Sequence, residues 1–302
     1  MPVAILENVP GMKTAAPVAE FLAEELSESV FDSEHVSQSR PCVIRGAIKH
    51  WAALENWRDK EYLKRRSGHH DVFLHLNEYH VSTDRMSRGR RCLTFSEAID
   101  TLHSESTELA IVTTGLPTEL LSDLGDFAFL KKAKPAFCYP PARYFFYRNA
   151  GTSWHYHPFD ETLMCQVVGS KKIGLVNGDS PFNLTLRKIF FQEDYYDSAS
   201  AFDGYDNAAV PWFSAEVEEG DALYIPPLWW HGVIPTHASF GATSAVTWRS
   251  PDHVIANGIR KMARGDIDMI GKAVSPNAQA LFDAARIMGL SRELAIAWER
   301  GV

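Results

Sequence analysis

The spacing of apolar residues changes twice along the chain, and it predicts a different structure for each of the three stretches. Between residues 143 and 249, short apolar runs follow one another at the spacing of strands. Before them helical and strand-like patterns alternate, and after Pro251 the apolar residues return to helical spacing. The pattern therefore predicts a β domain that is preceded by helices and followed by a helical tail.

The β stretch is predicted to contain seven strands. They cover residues 143–148, 152–157, 162–168, 171–176, 222–226, 232–235 and 243–249. The interval 177–219 between the fourth and the fifth is long, aromatic and acidic. Because a loop of that length inside a compact domain usually has a function, we interpret it as a lid.

The N-terminal stretch mixes both kinds of element. Apolar residues at helical spacing, with acids opposite, predict an amphipathic helix over 15–28. Thr94 and Glu97 have the form of a capping box and predict that a helix begins there. Further strands are predicted at 41–46, 71–76 and 109–113, and further helices after Trp57 and from Pro117 to Leu124. The polar residues 80–92 contain four arginines and predict an exposed loop or a flap on the substrate side.

The tail and the β stretch define the expected domain organisation. We expect one β-barrel domain over residues 1–251, wrapped by N-terminal helices, and a C-terminal helical tail over 252–302. The sequence shows no internal repeat and no low-complexity tract.

Composition narrows the class of protein. The chain is 45% hydrophobic and contains 8 Trp, which is ample for a packed core and excludes intrinsic disorder. The net charge of −8 argues against non-specific binding to nucleic acid or to anionic membranes. Four widely spaced cysteines without a CxxC are expected to be reduced and buried, which suits a cytoplasmic protein. We see no signal peptide and no apolar run long enough to span a membrane.

The candidate chemistry lies in a group of histidines and acids. His155 and His157 are two residues apart, so the period of a strand places both on one face. Asp160 and Glu161 follow directly, and His231 follows the fifth predicted strand. Imidazoles and a carboxylate from two strands are what a divalent metal such as iron or zinc requires. The sequence therefore predicts a metalloenzyme.

The spacing of these residues resembles a known family. Gly151–Gly169 read G-x3-H-x-H-x3-E-x7-G, and Gly220–His231 read G-x5-P-x4-H. This order is similar to the two motifs of the cupin superfamily, and more narrowly to the JmjC hydroxylases, in the branch of the asparaginyl hydroxylase that acts on hypoxia-inducible factor. The resemblance covers most of residues 40–250. It implies a double-stranded β-helix, or jelly roll, and an oxidoreductase that uses Fe(II), 2-oxoglutarate and O₂.

The resemblance also implies roles for single residues. His155 and His231 match the two histidine ligands of the iron, or of another divalent metal in its place. Lys171 matches the lysine that pairs with the distal carboxylate of 2-oxoglutarate, and Thr152 matches a hydroxyl that binds the same group. The helices of 252–302 resemble a dimerisation tail. The implied activity is a dioxygenase that hydroxylates a protein side chain or a small molecule.

The metal site departs from the family pattern in its middle ligand. The family has Asp or Glu two residues after the first histidine, where this chain has His157. Either three histidines bind the metal, or the chain bulges so that Asp160 or Glu161 supplies a carboxylate.

The cosubstrate site departs as well. The tyrosine expected in the strand at 109–113 is missing, and Thr247 or Ser244 stands where a late asparagine is expected. Two alternatives therefore stay open beside a 2-oxoglutarate oxygenase. One is a three-histidine cupin metalloenzyme that does not use 2-oxoglutarate, and the other is a non-catalytic cupin-fold protein that binds a metal.

Overall fold

Strands from all parts of the chain build a β structure with helices at its flanks. The computed structural model describes residues 4–76, 89–131, 134–178, 183–190, 202–204, 210–267 and 278–300. Its strands are β1 (Ala16–Pro17), β2 (Ala19–Leu22), β3 (Cys42–Arg45), β4 (Asp71–Leu76), β5 (Arg90–Thr94), β6 (Ala110–Gly115), β7 (Ala142–Arg148), β8 (Thr152–His155), β9 (Asp160–Val168), β10 (Lys171–Asn177), β11 (Trp212–Val217), β12 (Ala222–Ile225), β13 (Trp229–Pro235) and β14 (Phe240–Arg249).

Helices lie at both ends of the chain and in several connections between strands. They are α1 (Ala4–Glu7), α2 (Glu28–Val30), α3 (Ala53–Asn56), α4 (Lys60–Ser67), α5 (Phe95–His103), α6 (Asn183–Phe190), α7 (Asp252–Arg264), α8 (Ala278–Ile287) and α9 (Ser291–Arg300). A π-helix covers Phe31–Val36, and 3₁₀ helices cover Pro10–Thr14 and Thr118–Asp123. No helix in the described part of the chain combines the length and the apolar character needed to cross a membrane.

The strands pair into two sheets within the described residues. The smaller sheet has the order β1-β11-β10-β13-β8, and the larger has the order β2-β3-β12-β9-β14-β7-β6-β4-β5. Side chains from both sheets meet in one apolar cluster, to which Ile173 and Val233 come from the smaller sheet and Met164 and Leu223 from the larger. Two facing sheets with a shared core are the expected cupin-like jelly roll, so the predicted fold class is confirmed.

The seven strands predicted for residues 143–249 are confirmed, with ends that shift by a few residues. The interval 177–219 is more structured than a loop, since it contains α6 and β11; its residues 179–182, 191–201 and 205–209 lie outside the described part, so its role as a lid stays a prediction. In the N-terminal stretch, the strands at β3, β4 and β6 and the capping box of Thr94 and Glu97 are also confirmed.

The amphipathic helix predicted over 15–28 is wrong. Residues 16–17 pair with β11 and residues 19–22 pair with β3, in both cases in parallel. Pro17 cannot donate a hydrogen bond within a helix but is tolerated in an edge strand. The apolar spacing resembles that of a helix, but these residues pair with the two sheet edges instead. Local propensity is a weak constraint compared with such pairing.

Two smaller expectations need correction. Of the predicted exposed loop at 80–92, residues 80–88 lie outside the described part, but Arg90 and Arg91 belong to β5, which pairs with β4. All four cysteines are described and free, as expected, yet Cys92 is exposed and Cys138 is only partly buried.

The C-terminal helices cover the outer face of the smaller sheet. Ile255 and Ile259 of α7 and Leu294 of α9 belong to one apolar cluster with Trp154 and Trp230. Those tryptophans alternate with His155 and His231 along β8 and β13, so they point outward where the histidines point inward. The helices therefore support the strands that carry the histidines. The boundary at residue 251 and dimerisation through 252–302 stay predictions.

Candidate metal centre

Two antiparallel strands bring the predicted histidines together. His155 of β8 lies directly opposite His231 of β13, and their ring centroids are 4.1 Å apart. His157 follows the end of β8, with its ring 5.0 Å from that of His231 and 5.3 Å from that of His155. One ring nitrogen of each histidine lies within 4.8 Å of those of the others. The predicted triad is therefore a spatial group.

Hydrogen bonds to Nδ1 orient all three rings. His155 Nδ1 is 2.8 Å from the carbonyl of Ser153, and His231 Nδ1 is 3.0 Å from the carbonyl of Trp229. His157 Nδ1 is 2.9 Å from Oγ1 of Thr162. When Nδ1–H donates to a carbonyl, Nε2 keeps its lone pair, which is how proteins orient a histidine for a metal.

The three histidines are uncharged at neutral pH. Burial lowers the pKa of His155 to about 4, and it lowers the pKa of His157 and of His231 well below the ordinary value. The rings also disfavour each other's protonation because they are close. Neutral imidazoles are the form that binds a metal ion, so the group is ready for one without losing protons.

The two acids that were candidate ligands lie outside this group. The Asp160 carboxylate accepts hydrogen bonds of 2.7 Å from the backbone N–H groups of Phe137 and Cys138. The Glu161 carboxylate accepts a hydrogen bond of 2.5 Å from the hydroxyl of Tyr224, and burial raises the pKa of Glu161 to about 8.

Strand alternation explains the position of Glu161. Thr162 of β9 faces the histidines, as its bond to His157 shows, so Glu161 points to the opposite face of the sheet. The expectation that the chain bulges to bring a carboxylate to the metal does not agree with this arrangement. Among the described residues, the group of potential ligands consists of the three histidines.

A cavity between the two sheets contains the histidines. Its volume is about 40 Å³, and the described residues that line it are Arg143, Phe145, Thr152, His155, His157, Thr162, Met164, Lys171, Ile225, His231, Val233, Thr243 and Ala245. These residues include no Asp and no Glu. The lining is apolar apart from the imidazoles, three threonines and two cations.

Lys171 is one of those cations, and Thr152 lies in the same lining. The Lys171 side chain is 4% exposed and has no hydrogen bond or ion pair with the described residues. Its Nζ lies 4.2 Å from the ring centroid of Tyr147 and 5.9 Å from that of Phe145. Burial without a counter-charge lowers the pKa of Lys171 to about 7. A buried ammonium of this kind is costly unless it receives an anion.

The late polar residue is placed differently from its expected role. Thr247 Oγ1 donates a hydrogen bond of 2.7 Å to the carbonyl of Pro140, and Thr247 does not line the cavity. Ser244, the alternative, donates to the carbonyl of Arg143 at 3.3 Å. Neither residue lines the cavity, so the position that a family asparagine would occupy contributes no cavity contact here.

Arg143 is a cavity residue to which no role was assigned from the sequence. It begins the inward-facing row Arg143, Phe145 and Tyr147 of β7. Its Cζ lies 4.0 Å from the ring centroid of Tyr139, whose own centroid is 4.9 Å from that of His157. The available signal was the alternation along the strand, which puts residue 143 on the same face as two residues that flank the lysine.

A second group of potential ligands lies elsewhere. His69, His70 and Glu119 approach one another at the surface, and His70 Nε2 is 3.2 Å from the Glu119 carboxylate. This is an ordinary histidine–carboxylate pair in contact with solvent. The pair gives no reason to assign a metal there.

Comparison with known proteins agrees with the geometry. A family model described as a cupin-like domain matches residues 27–251. Jumonji C domain-containing protein 5 of Drosophila melanogaster is 24% identical over 263 residues, which are 80% of this chain and 63% of that protein. Lysine-specific demethylase JMJ30 of Arabidopsis thaliana is 24% identical over 230 residues, which are 69% of this chain and 50% of that protein.

A further relative is matched over more of its own length. Lysine-specific demethylase JMJ32 of Arabidopsis thaliana is 26% identical over 269 residues, which are 72% of this chain and 77% of that protein. This chain spans less than two thirds of the first two relatives. The similarity therefore concerns the domain that carries the histidines.

Proposed function

The chain belongs to the cupin-like family that includes the JmjC proteins, and on that basis we propose that it is an Fe(II)- and 2-oxoglutarate-dependent oxygenase. One observation carries the proposal. Three neutral, oriented imidazoles line a single cavity together with a buried ammonium that has no counter-charge among the described residues. The first feature suits a metal ion, and the second suits a dicarboxylate that reaches from the metal to the lysine.

The residues present fit a redox-active divalent metal. His155, His157 and His231 would hold it through their Nε2 atoms, because Nδ1 of each ring is engaged elsewhere. With no carboxylate beside them among the described residues, three ligands leave coordination positions open, as in catalytic sites. When bound, Fe(II) supplies the binding and reduction of O₂ that the protein cannot provide itself.

Lys171 and Thr152 would hold the cosubstrate. A carboxylate that pairs with the Lys171 ammonium removes the cost of its burial, and the gain is large because water is excluded there. Tyr147 and Phe145 surround the ammonium with aromatic faces that exclude water. Binding of the anion thus keeps the lysine protonated and fixes the orientation of the dicarboxylate relative to the histidines.

The substrate class follows the family only in outline. We propose hydroxylation of a protein side chain or a small molecule. The names of the relatives from Arabidopsis thaliana suggest a methylated lysine as one protein substrate. A cationic ammonium is a poor match for a cavity whose described lining contains two cations and no acid. We also propose that residues 1–251 form the catalytic domain and that the helices of 252–302 form a dimerisation tail.

Anaerobic Fe(II) titration with and without 2-oxoglutarate tests this function. A chelated complex gives a weak visible charge-transfer band, and we expect a band that requires both components. We expect Lys171→Ala to abolish it. Lys172→Ala is the matched control, because Lys172 is half-exposed and lies 3.8 Å from Glu216 at the surface.

The same titration separates the second candidate function. His157 stands where the family has a carboxylate, and this observation favours a three-histidine oxygenase that does not use 2-oxoglutarate. Stoichiometric Fe(II) binding without the band, unchanged in Lys171→Ala, would support that enzyme and reject the cosubstrate. Fe(II) binding without any O₂ consumption would instead support a non-catalytic metal-binding protein.

A further inference from the structure

The cavity contains a second cation that the proposed function does not use. Arg143 lies on the inward face of β7, directly opposite Ala245 of β14, and both line the cavity. Its guanidinium is partly buried, and Nε is fully buried without a hydrogen-bond partner among the described residues. Asp160 is near enough to attract it but makes no ion pair with it, since the Asp160 carboxylate accepts from backbone N–H groups.

Arg143 and Lys171 occupy different parts of the cavity. Phe145 lies between them, with its ring centroid 5.6 Å from Arg143 Cζ and 5.9 Å from Lys171 Nζ. Beyond Phe145, Lys171 contacts Tyr147, whereas Arg143 contacts Tyr139 next to His157. Because the two cations have different aromatic neighbours, we expect them to pair with separate carboxylates.

The charges of the loaded cavity do not balance with 2-oxoglutarate alone. A divalent metal, Lys171 and Arg143 bring four positive charges, and histidines bind a metal as neutral imidazoles. Asp160 lies outside the lining and its carboxylate is held by backbone N–H groups, so it offsets only part of the charge of Arg143. The dianion of 2-oxoglutarate removes two of the four positive charges. A family member with a carboxylate at the position of His157 would need one negative charge fewer from its ligands. Because excess charge in a partly dry cavity is costly, a further anion is expected there.

We propose that Arg143 is a substrate-binding residue and that the primary substrate presents a carboxylate to it beside the metal. The inference rests on the proposed function, since it takes Lys171 as the site of the cosubstrate. The planar guanidinium matches a carboxylate with two parallel hydrogen bonds, and its contact with the Tyr139 ring restrains its position. The substrate class is therefore a small organic acid or an amino acid that keeps a free carboxylate.

Calorimetric titration of the Mn(II)-loaded protein tests the inference without turnover. With 2-oxoglutarate at saturation, propionate and butyrate are the probes, and propionamide and butyramide are their matched controls without a carboxylate. Inorganic phosphate tests the other anion chemistry. We expect one site for the acids, weakened about tenfold or more in Arg143→Met, with Arg143→Lys in between because it keeps the charge and loses the fork.

Two controls show whether a loss is specific. Arg148→Met changes an arginine on the same strand that lies outside the cavity, where its Nε donates a hydrogen bond of 2.8 Å to the carbonyl of Thr107. It should leave acid binding unchanged. Arg143→Met should keep the melting temperature of the wild type in the absence of anions, because the buried Nε has no hydrogen bond to the described residues that the substitution would remove. The affinity for 2-oxoglutarate should change less than about threefold in Arg143→Met and collapse in Lys171→Ala.

The outcomes separate the inference from the function on which it rests. A loss of 2-oxoglutarate affinity in Arg143→Met as large as that in Lys171→Ala would overturn the inference, because Arg143 would then belong to the cosubstrate. Binding of phosphate but not of the acids, equal binding of acids and amides, or no binding that depends on Arg143 would overturn it as well. Failure of the wild type to bind 2-oxoglutarate, with acid binding that still depends on Arg143, would reject the proposed function and leave the carboxylate site in place.

Discussion

The buried ammonium of Lys171 makes a prediction about the stability of the metal-free protein. Burial lowers the pKa of Lys171 from its ordinary value of 10.5 to about 7. Between these two values the unfolded chain binds a proton that the folded protein does not. The free energy of unfolding therefore rises with pH across this window, and below pH 7 the destabilisation is complete.

The size of the effect follows from the shift. A difference of 3.5 pKa units corresponds to about 5 kcal/mol at its limit. Between pH 7 and pH 8.5 the wild type should gain roughly 1.5 kcal/mol relative to Lys171→Met, which has no ionisable group at this position. Comparison with the variant cancels the other groups that titrate in this range.

Urea unfolding of both proteins at the two pH values, followed by circular dichroism, measures the difference. Lys172→Met is the control, and its pH dependence should match the wild type because Lys172 is half-exposed and paired with Glu216. Parallel stability curves for the wild type and Lys171→Met would refute the reasoning. Lys171 would then have a water or a counter-ion in the metal-free protein, and its value as an anchor for an anion would be small.

Four further predictions concern other parts of the molecule. Burial raises the pKa of Glu161 to about 8, so the folded state keeps a proton that the unfolded chain loses above the ordinary pKa of 4.5. The free energy of unfolding of the wild type should therefore fall between pH 5 and 8 relative to that of Glu161→Gln. The metal stoichiometry of Glu161→Gln, measured by elemental analysis, should stay unchanged. Gly232→Ala would place a Cβ 2.8 Å from the ring of Trp154 and should cost about 1–3 kcal/mol, seen as a lower melting temperature. Asp123 accepts hydrogen bonds from three side chains, so Asp123→Ala should lower the urea midpoint by the equivalent of about 3 kcal/mol. His157→Ala should weaken Fe(II) binding by about a hundredfold or more in anaerobic titration, whereas equal affinity would exclude it as a ligand.

Alternation along the strands made the central part of the fold predictable. Apolar runs between residues 143 and 249 carry the period of two, and the same period placed His155 and His157 on one face. The edge strands at 16–22 could not be found in this way. They are too short to show a period, and their pairing with β3 and β11 depends on chain segments far away in sequence.

Site residues whose position follows from motif spacing could be predicted from the sequence, whereas those whose role depends on tertiary contacts could not. The third histidine and Lys171 were found because motifs fix their positions relative to glycines. Glu161 also fits a motif, but its strand turns it towards Tyr224, and only the register of β9 shows this. Arg143 lies near the start of its strand, and the sequence alone does not distinguish an arginine that points into the cavity there from one at an exposed strand end.

The histidine at position 157 and the second cation, Arg143, both add to the excess of positive charge in the cavity. A neutral imidazole at position 157 leaves the metal site more positive than a carboxylate would, and nothing in the described lining of the cavity offsets that charge. Arg143 increases the excess on the side of His157. The buried positive charges destabilise the empty cavity, and a bound molecule of opposite charge removes that destabilisation. Such a cavity therefore favours the binding of negatively charged molecules. The affinity of this cavity for its substrate should therefore depend on the substrate's negative charge more than on its shape.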